Sequence, residues 1–279
     1  MLFGAHRSIA GGLHQALWSG RRIGCEAVQL FVKNSSRWEA PPLTPEAVAA
    51  FRRAWQDSGI QRVVAHDSYL INLASPESPL REKSIQAFIG EMERCAALGI
   101  PRLVTHLGAH RGAGEAAGLA TLTASLNEIH RRRPDLSVRI LLETTAGQGS
   151  SLGYRFEHLA TVLAGLEAPE RVGVCFDTCH VFAAGYDLRT PEAYAATLAA
   201  FARIVGEEKL ELFHVNDSQR ELGSRVDRHA RIGQGMLGDA AFRCLLRDER
   251  YADRALILET PGLENHAADL ARLKRLRAA

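Results

Sequence analysis

The sequence lacks most of the features that would sort a protein at a glance. It carries no strong charge of either sign, since 34 Lys and Arg against 32 Asp and Glu leave a formal net charge of +2. Such a balance neither demands nor excludes nucleic acid, because a local basic groove can exist on a nearly neutral protein. Cysteine is scarce and odd in number, and Cys25, Cys95, Cys175, Cys179 and Cys244 are scattered through apolar stretches. That is not the pattern of a small disulfide framework, and it fits a reducing cytoplasm. No apolar run approaches the roughly 18 to 20 residues of a spanning helix. The opening "MLFGAHRSIAGG" has no basic segment followed by a long apolar one. A cytoplasmic location away from membranes is the expectation. There is no low-complexity linker and no lyase-type lysine motif.

What is present is a regular alternation. Short apolar runs recur at 2–5, 27–32, 62–66, 102–106, 137–143, 172–177, 210–215 and 255–259. Segments of helical periodicity lie between them, such as "TPEAVAAFRRAWQDSG" and "EKSIQAFIGEMERCAALG". The first opens on a Thr N-cap with Pro next, and both end in Gly. Near-continuous apolar strands alternating with helices imply a parallel sheet covered by helices. Eight such units over 279 residues predict an α/β fold, a closed (β/α)₈ TIM barrel forming one domain over 1–279. An open doubly wound sheet is the alternative.

The polar residues that close these runs carry the functional signal. Five end in His66, His106, Glu143, Asp177 and Glu259, and His214 lies inside the end of "LFHVND". In a barrel all strands aim their C-terminal ends at one face, so these six converge. One buried His or Asp at a strand end is ordinarily a hydrogen-bonded core residue. Six together are not explained that way, because gathering carboxylates and imidazoles out of water is costly unless a cation holds them. In "DTCH", Asp177 and His180 stand three apart, across a strand end and the following turn. In "VDRH", Asp227 and His229 share one face of an extended segment. Nine oxygen and nitrogen donors exceed what one ion uses, which suggests two or three metals. A mixed imidazole and carboxylate set suits Zn²⁺, with Mn²⁺ possible at one site.

The segments "HDSYLINLASP" (66–76), "ETTAGQG" (143–149), "GVCFDTCHVFAAGYDLRT" (173–190), "FHVNDS" (213–218), "GSRVDRHARIGQGMLG" (223–238) and "LILETP" (256–261) resemble the signatures of the endonuclease IV family of apurinic/apyrimidinic (AP) endonucleases. The resemblance runs over essentially the whole chain, with the motifs in order. It implies a TIM barrel of the xylose-isomerase-like type whose C-terminal face holds three zinc ions. It also implies a DNA repair enzyme that hydrolyses the phosphodiester 5′ to abasic sites in duplex DNA, leaving a 3′ hydroxyl and a 5′ deoxyribose phosphate. By that resemblance His66, His106 and Glu143 hold one ion, and Glu143 bridges to a second held by Asp177, His214 and Glu259. His180, Asp227 and His229 would take the third, beside the leaving oxygen. Cys175 and Cys179 fall outside the set.

Tyr69 and Leu70 match the family's DNA-probing loop and are the expected wedge where an abasic nucleotide is turned out of the stack. Arg225 and Arg228 are expected on phosphates, and Arg37, beside Trp38, on the strand opposite the lesion. His6 is expected to orient a ligand from behind. Two departures from the family's pattern stand out. Ser35 and Ser36 replace longer polar or basic side chains, and Leu107 stands where proline is usual. The remaining histidines, His14, His110, His130, His158 and His266, are expected to be structural or solvated. A monomer is expected. The main rival reading is a metal-dependent sugar isomerase or epimerase using Glu143, Asp177, His214 and Glu259 on the same barrel, which leaves His180, Asp227 and His229 without a use. A metal-stabilised DNA-binding module is a third.

Overall fold

A computed structural model describes residues 1–278. Eight parallel strands form a closed barrel: β1 (Leu2–His6), β2 (Ala27–Phe31), β3 (Arg62–His66), β4 (Arg102–His106), β5 (Arg139–Glu143), β6 (Val172–Asp177), β7 (Leu210–His214) and β10 (Ala255–Leu258). β10 closes the ring between β7 and β1. Between β7 and β10 lies a small antiparallel pair, β8 (Asp217–Ser218) and β9 (His229–Ala230), which sets Ser218 opposite His229. The helices are α1 (Leu13–Arg22), α2 (Pro45–Ser58), α3 (Ser78–Leu98), α4 (Glu115–Arg132), α5 (Phe156–Ala164), α6 (Thr178–Ala184), α7 (Pro191–Ile204), α8 (Gly238–Leu246) and α9 (His266–Ala278). The predicted alternation is thus the observed TIM barrel.

Local chemistry sets the boundaries. The Thr44 hydroxyl accepts from the Ala47 amide at 3.2 Å, Pro45 opens α2, and Gly59 leaves it at φ 72°. α3 likewise stops at Gly99, φ 82°. β1 and β2 approach so closely that a Cβ on Gly4 would lie 2.2 Å from the Ala27 carbonyl oxygen. Only glycine fits there.

The core has two shells. A large one lies between sheet and helices, with Phe51, Phe88, Phe176, Phe201, Phe213 and Phe242 among its buried side chains. Inside the barrel a smaller layer packs Ala27, Val64, Val104, Leu141, Cys175, Leu212, Ala255 and Ile257, all removed from solvent. Each fully buried Val or Leu contributes about 1.5–3 kcal/mol, and together they floor the barrel mouth. Cys175 belongs to this floor.

Two details differ from the sequence expectation. Glu259 lies one residue past the end of β10, where its backbone N–H donates to Asn216 Oδ1 at 2.8 Å instead of continuing the ladder. Asp177 and His180 are joined by the first turn of α6, with Asp177 as N-cap: its Oδ1 accepts from the His180 amide at 2.8 Å. The helix turns His180 back over the barrel axis, where an irregular turn would leave its direction open.

Candidate metal centre

Two positions after Val64, Val104, Leu141, Cys175, Leu212 and Ile257 the next side chain on the same face is polar, because side chains on one face of a strand recur every second residue. Glu143 lies at the middle of this upper layer and is fully buried. Its Oε2 is 3.1 Å from His66 Nε2 and 3.3 Å from His106 Nε2, and its Oε1 is 3.0 Å from His214 Nδ1 and 3.3 Å from His180 Nδ1. The two oxygens of one carboxylate therefore serve two different sets of imidazoles.

The nine nominated donors fall into three groups, the first two sharing Glu143, each with ligand atoms within 4.8 Å of one another: His66, His106 and Glu143; Glu143, Asp177, His214 and Glu259; His180, Asp227 and His229. In the second group His214 Nδ1 faces Glu259 Oε2 at 3.2 Å and Asp177 Oδ2 at 3.9 Å. In the third, His180 Nε2 lies 3.2 Å from Asp227 Oδ2 and 3.3 Å from His229 Nε2. A further group, Asp177, Cys179 and His229, meets the same distance test. Cys179 donates to the Arg228 carbonyl at 3.7 Å, and burial pushes its thiol up to about 12.

The electrostatics describe a receptacle for positive charge. Burial alone would raise Glu143, but His214 and His106 outweigh it and hold the carboxyl well below its usual range. Burial also works against charge on His180, yet Asp177, Asp227 and Glu143 lift its pKa well above the ordinary imidazole value. Asp227 falls to about 2: burial opposes the shift and the His180 contact drives it. Protons thus hold places that a divalent cation can take. Three carboxylates and an imidazole sharing one dry point are costly without a cation, and the oxygen/nitrogen donor set fits Zn²⁺ or Mn²⁺.

Backbone carbonyls aim three of the rings. Nδ1 of His66 donates to the Asp67 carbonyl at 2.8 Å, Nδ1 of His180 to the Thr144 carbonyl at 2.8 Å, and Nδ1 of His229 to the Glu259 carbonyl at 3.2 Å. Each leaves Nε2 for the centre. Asn216 donates to Asp177 Oδ2 at 2.7 Å, and the Thr144 hydroxyl accepts from the Asp177 amide at 2.9 Å. Sequence reading passed over Asn216, Thr144 and Gln29. For Asn216 a signal existed in its place between His214 and Asp217; a lone Gln inside an apolar strand offered none.

A cleft of about 520 Å³ opens beside these groups, lined by Tyr69, Leu70, His106, His180, Asp227 and Arg228 among others. Tyr69 is 68% exposed, with Phe31 5.4 Å behind its ring, and Leu70 is half-buried. Arg228 is exposed on the cleft wall. Arg225 is also exposed, at φ 54°, but its guanidinium stacks 4.1 Å over the Tyr154 ring and its amide is tied to the Ala183 carbonyl. Arg37 does not line the cleft; its loop is joined to the Tyr69 loop by Ser68 Oγ donating to the Ser35 carbonyl at 2.6 Å. Leu107 is fully buried, against the loop that carries Gly153. His6 Nδ1 is 3.7 Å from Glu259 Oε1, too far for a direct hydrogen bond. Of the five other histidines, His130, His158 and His266 are buried.

A parallel barrel with a donor-rich mouth beside an open cleft defines a metal-dependent barrel enzyme. Residues 20–276 match the family model described as a xylose isomerase-like TIM barrel. A probable endonuclease 4 from Chloroflexus aurantiacus is 53% identical over 276 residues, covering 99% of this chain and 97% of that protein. The crystal structure of endonuclease IV from Thermus thermophilus superposes with a TM-score of 0.88 at 37% identity, covering 99% of this chain and 98% of that one. The chain belongs to the endonuclease IV family. A D-tagatose 3-epimerase-like protein, at 18% identity and a TM-score of 0.79, shares the fold alone.

Proposed function

We propose that the chain is an AP endonuclease, one domain over 1–279 acting as a monomer in the cytoplasm. It hydrolyses the phosphodiester 5′ to an abasic site in duplex DNA and leaves a 3′ hydroxyl and a 5′ deoxyribose phosphate. The observation that carries the reading is Glu143, whose two oxygens face two separate imidazole sets from a fully buried position. Full-length similarity to endonuclease 4 proteins supports it. No helix among the described residues is long and apolar enough to cross a membrane.

The proposed ligands for three zinc ions, one replaceable by Mn²⁺, are His66, His106 and Glu143; Glu143, Asp177, His214 and Glu259; and His180, Asp227 and His229. Cys179 is left out as a neutral, buried thiol. Bound zinc supplies Lewis acidity toward the phosphate and toward water. The chain's own part is placement. Glu143 holds two of the groups at a fixed separation. Asp227, with 43% of its side chain exposed, and His106, with 38%, turn toward the cleft where a phosphate would lie. The apolar floor at Leu141 and Cys175 keeps water from beneath. Tyr69 and Leu70 fill the gap opened when the abasic sugar leaves the stack, at low cost because it has no base to unstack. Arg225 and Arg228 hold phosphates without reading sequence, and Arg37 contacts the strand opposite the lesion.

The test is incubation with duplex DNA carrying one abasic site, with the product ends identified. Cleavage to a 3′ hydroxyl and 5′ deoxyribose phosphate, indifferent to flanking bases, is expected. A 3′ unsaturated aldehyde, or turnover of a ketose with no DNA cleavage, would overturn the proposal.

A further inference from the structure

Gln29 is a fully buried amide in β2, and its side-chain hydrogen bonds all go to the upper layer of the barrel. Its Nε2 lies 2.6 Å from Glu259 Oε1 and 3.1 Å from His6 Nδ1, and its Oε1 lies 2.8 Å from His214 Nε2. The neighbours decide which way round the amide sits. An ionised carboxylate only accepts, so the atom against Glu259 is the NH₂ group. The atom against His214 is then the carbonyl oxygen, and the proton in that contact comes from His214 Nε2. A neutral imidazole carries one N–H, so the lone pair of His214 is on Nδ1. That is the atom facing Glu143 Oε1 at 3.0 Å and Glu259 Oε2 at 3.2 Å.

At Glu259 the same amide occupies Oε1 and leaves Oε2 toward His214. His66, His180 and His229 have their outer nitrogens held by backbone carbonyls, which the fold fixes. At His214 that task falls to a side chain. We infer that Gln29 is a positioning residue of the metal centre: its amide sets the Nε2–H tautomer of His214 and commits Glu259 Oε2 to the same point, so that ligands from two strands converge on one cation. The inference rests on the ligand set of the proposed function. His6 acts through this amide, accepting its second N–H.

The test substitutes Gln29→Met, which keeps length and apolar volume but neither hydrogen bond. Zinc affinity of the metal-stripped protein is measured by titration, and wild type is run in parallel. Loss of such a partner typically lowers metal affinity or activity about 10- to 100-fold. A fall of that size at one site is expected, with kcat for abasic DNA lowered, KM unchanged, and activity recovered in excess zinc. A melting temperature near wild type separates this from a packing defect. If Gln29→Met does not fold, long-range ¹H–¹⁵N NMR of the zinc-loaded wild type decides, with a proton on His214 Nε2 and none on Nδ1 as the expected result. Undiminished zinc affinity in Gln29→Met, or a proton on His214 Nδ1, overturns the inference while leaving the endonuclease reading intact. A wild type that neither binds zinc nor cuts abasic DNA removes both.

Discussion

Two layers of the same eight strands, one pleat apart, have opposite chemistry. Val64, Val104, Leu141, Cys175, Leu212 and Ile257 form the lower one, and His66, His106, Glu143, Asp177, His214 and Glu259 stand two residues further along. The lower layer needs volume and nothing else, and hydrophobic residues of similar size can replace one another there at modest cost. The upper layer needs particular atoms at particular points. The difference shows how a barrel isolates its chemistry: the backbone that aims the donors is stiffened by a core directly beneath them, and water is excluded from the side away from substrate. "CFDTCH" spans both layers, with Cys175 in the floor and Asp177 and His180 in the mouth.

The comparison breaks most completely at Glu143. Glu143→Ala is expected to lose incision by several orders of magnitude and to reduce bound zinc, because two groups share its carboxylate. Glu143→Asp keeps the charge but pulls it back by about 1 Å, and a displacement of that size can cost about 100-fold. Single-turnover incision with zinc counted per chain checks both, and a normal zinc count with near-normal incision in Glu143→Ala would contradict the shared role.

His180→Ala ranks next. It is expected to lose one zinc and slow single-turnover incision on the order of a hundredfold, the scale of several kcal/mol of charge stabilisation, while affinity for abasic duplex is largely kept. Cys179→Ser serves as its control and should keep every zinc. Loss of zinc in Cys179→Ser with none in His180→Ala would make the site a thiolate one.

His130 sharpens the contrast from outside the mouth. Its two ring nitrogens are buried without partners, and burial, aided by Arg171, pushes its pKa down to about 4. Unfolded, a histidine titrates near 6.5. The unfolded chain therefore binds the extra proton between these values, so the contribution to stability is whole above about pH 6.5 and shrinks as pH falls toward 4. The loss reaches up to about 3 kcal/mol. His130→Leu should flatten that part of the stability–pH curve, measured by denaturant unfolding of metal-free protein at pH 7 and pH 4.5. His180 in the mouth behaves oppositely: burial works against its charge, but its carboxylate neighbours raise it.

Cys175→Ser is the smallest change. A hydroxyl in the apolar floor is expected to cost about 1 to 2 kcal/mol and to leave zinc content and incision near wild type, read by thermal melting beside the incision assay.

The sequence made the barrel and six of the nine donors legible for the same reason, while the division of the nine into three groups followed only from the family resemblance. A run of β-branched and aliphatic residues closed by His, Asp or Glu marks both a buried strand and its C-terminal end, and barrel topology then brings the ends together. What stayed hidden depends on contacts between distant segments. Gln29 reads as a stray polar residue until β7 and β10 put His214 and Glu259 against it. Arg225 reads as an unattached side chain until Tyr154 is seen beneath it. The turn after Asp177 is a helix because the Asp177 carboxylate caps it, a role indistinguishable in sequence from that of a ligand.

The Arg225–Tyr154 stack has a consequence for the order in which the centre comes apart. Glu143, Asp177 and His214 are carried by barrel strands and are fully buried, whereas Asp227 sits on a loop held by the Arg225 stack, a few backbone bonds and single side-chain hydrogen bonds such as that from its own amide to Gln148 Oε1. Local opening of such a loop needs far less free energy than opening a core strand. A chelator should therefore strip the chain in two kinetic phases: a fast one drawing on His180, Asp227 and His229, then a slow one limited by the barrel itself. Arg225→Ala should quicken the first phase and leave the second unchanged.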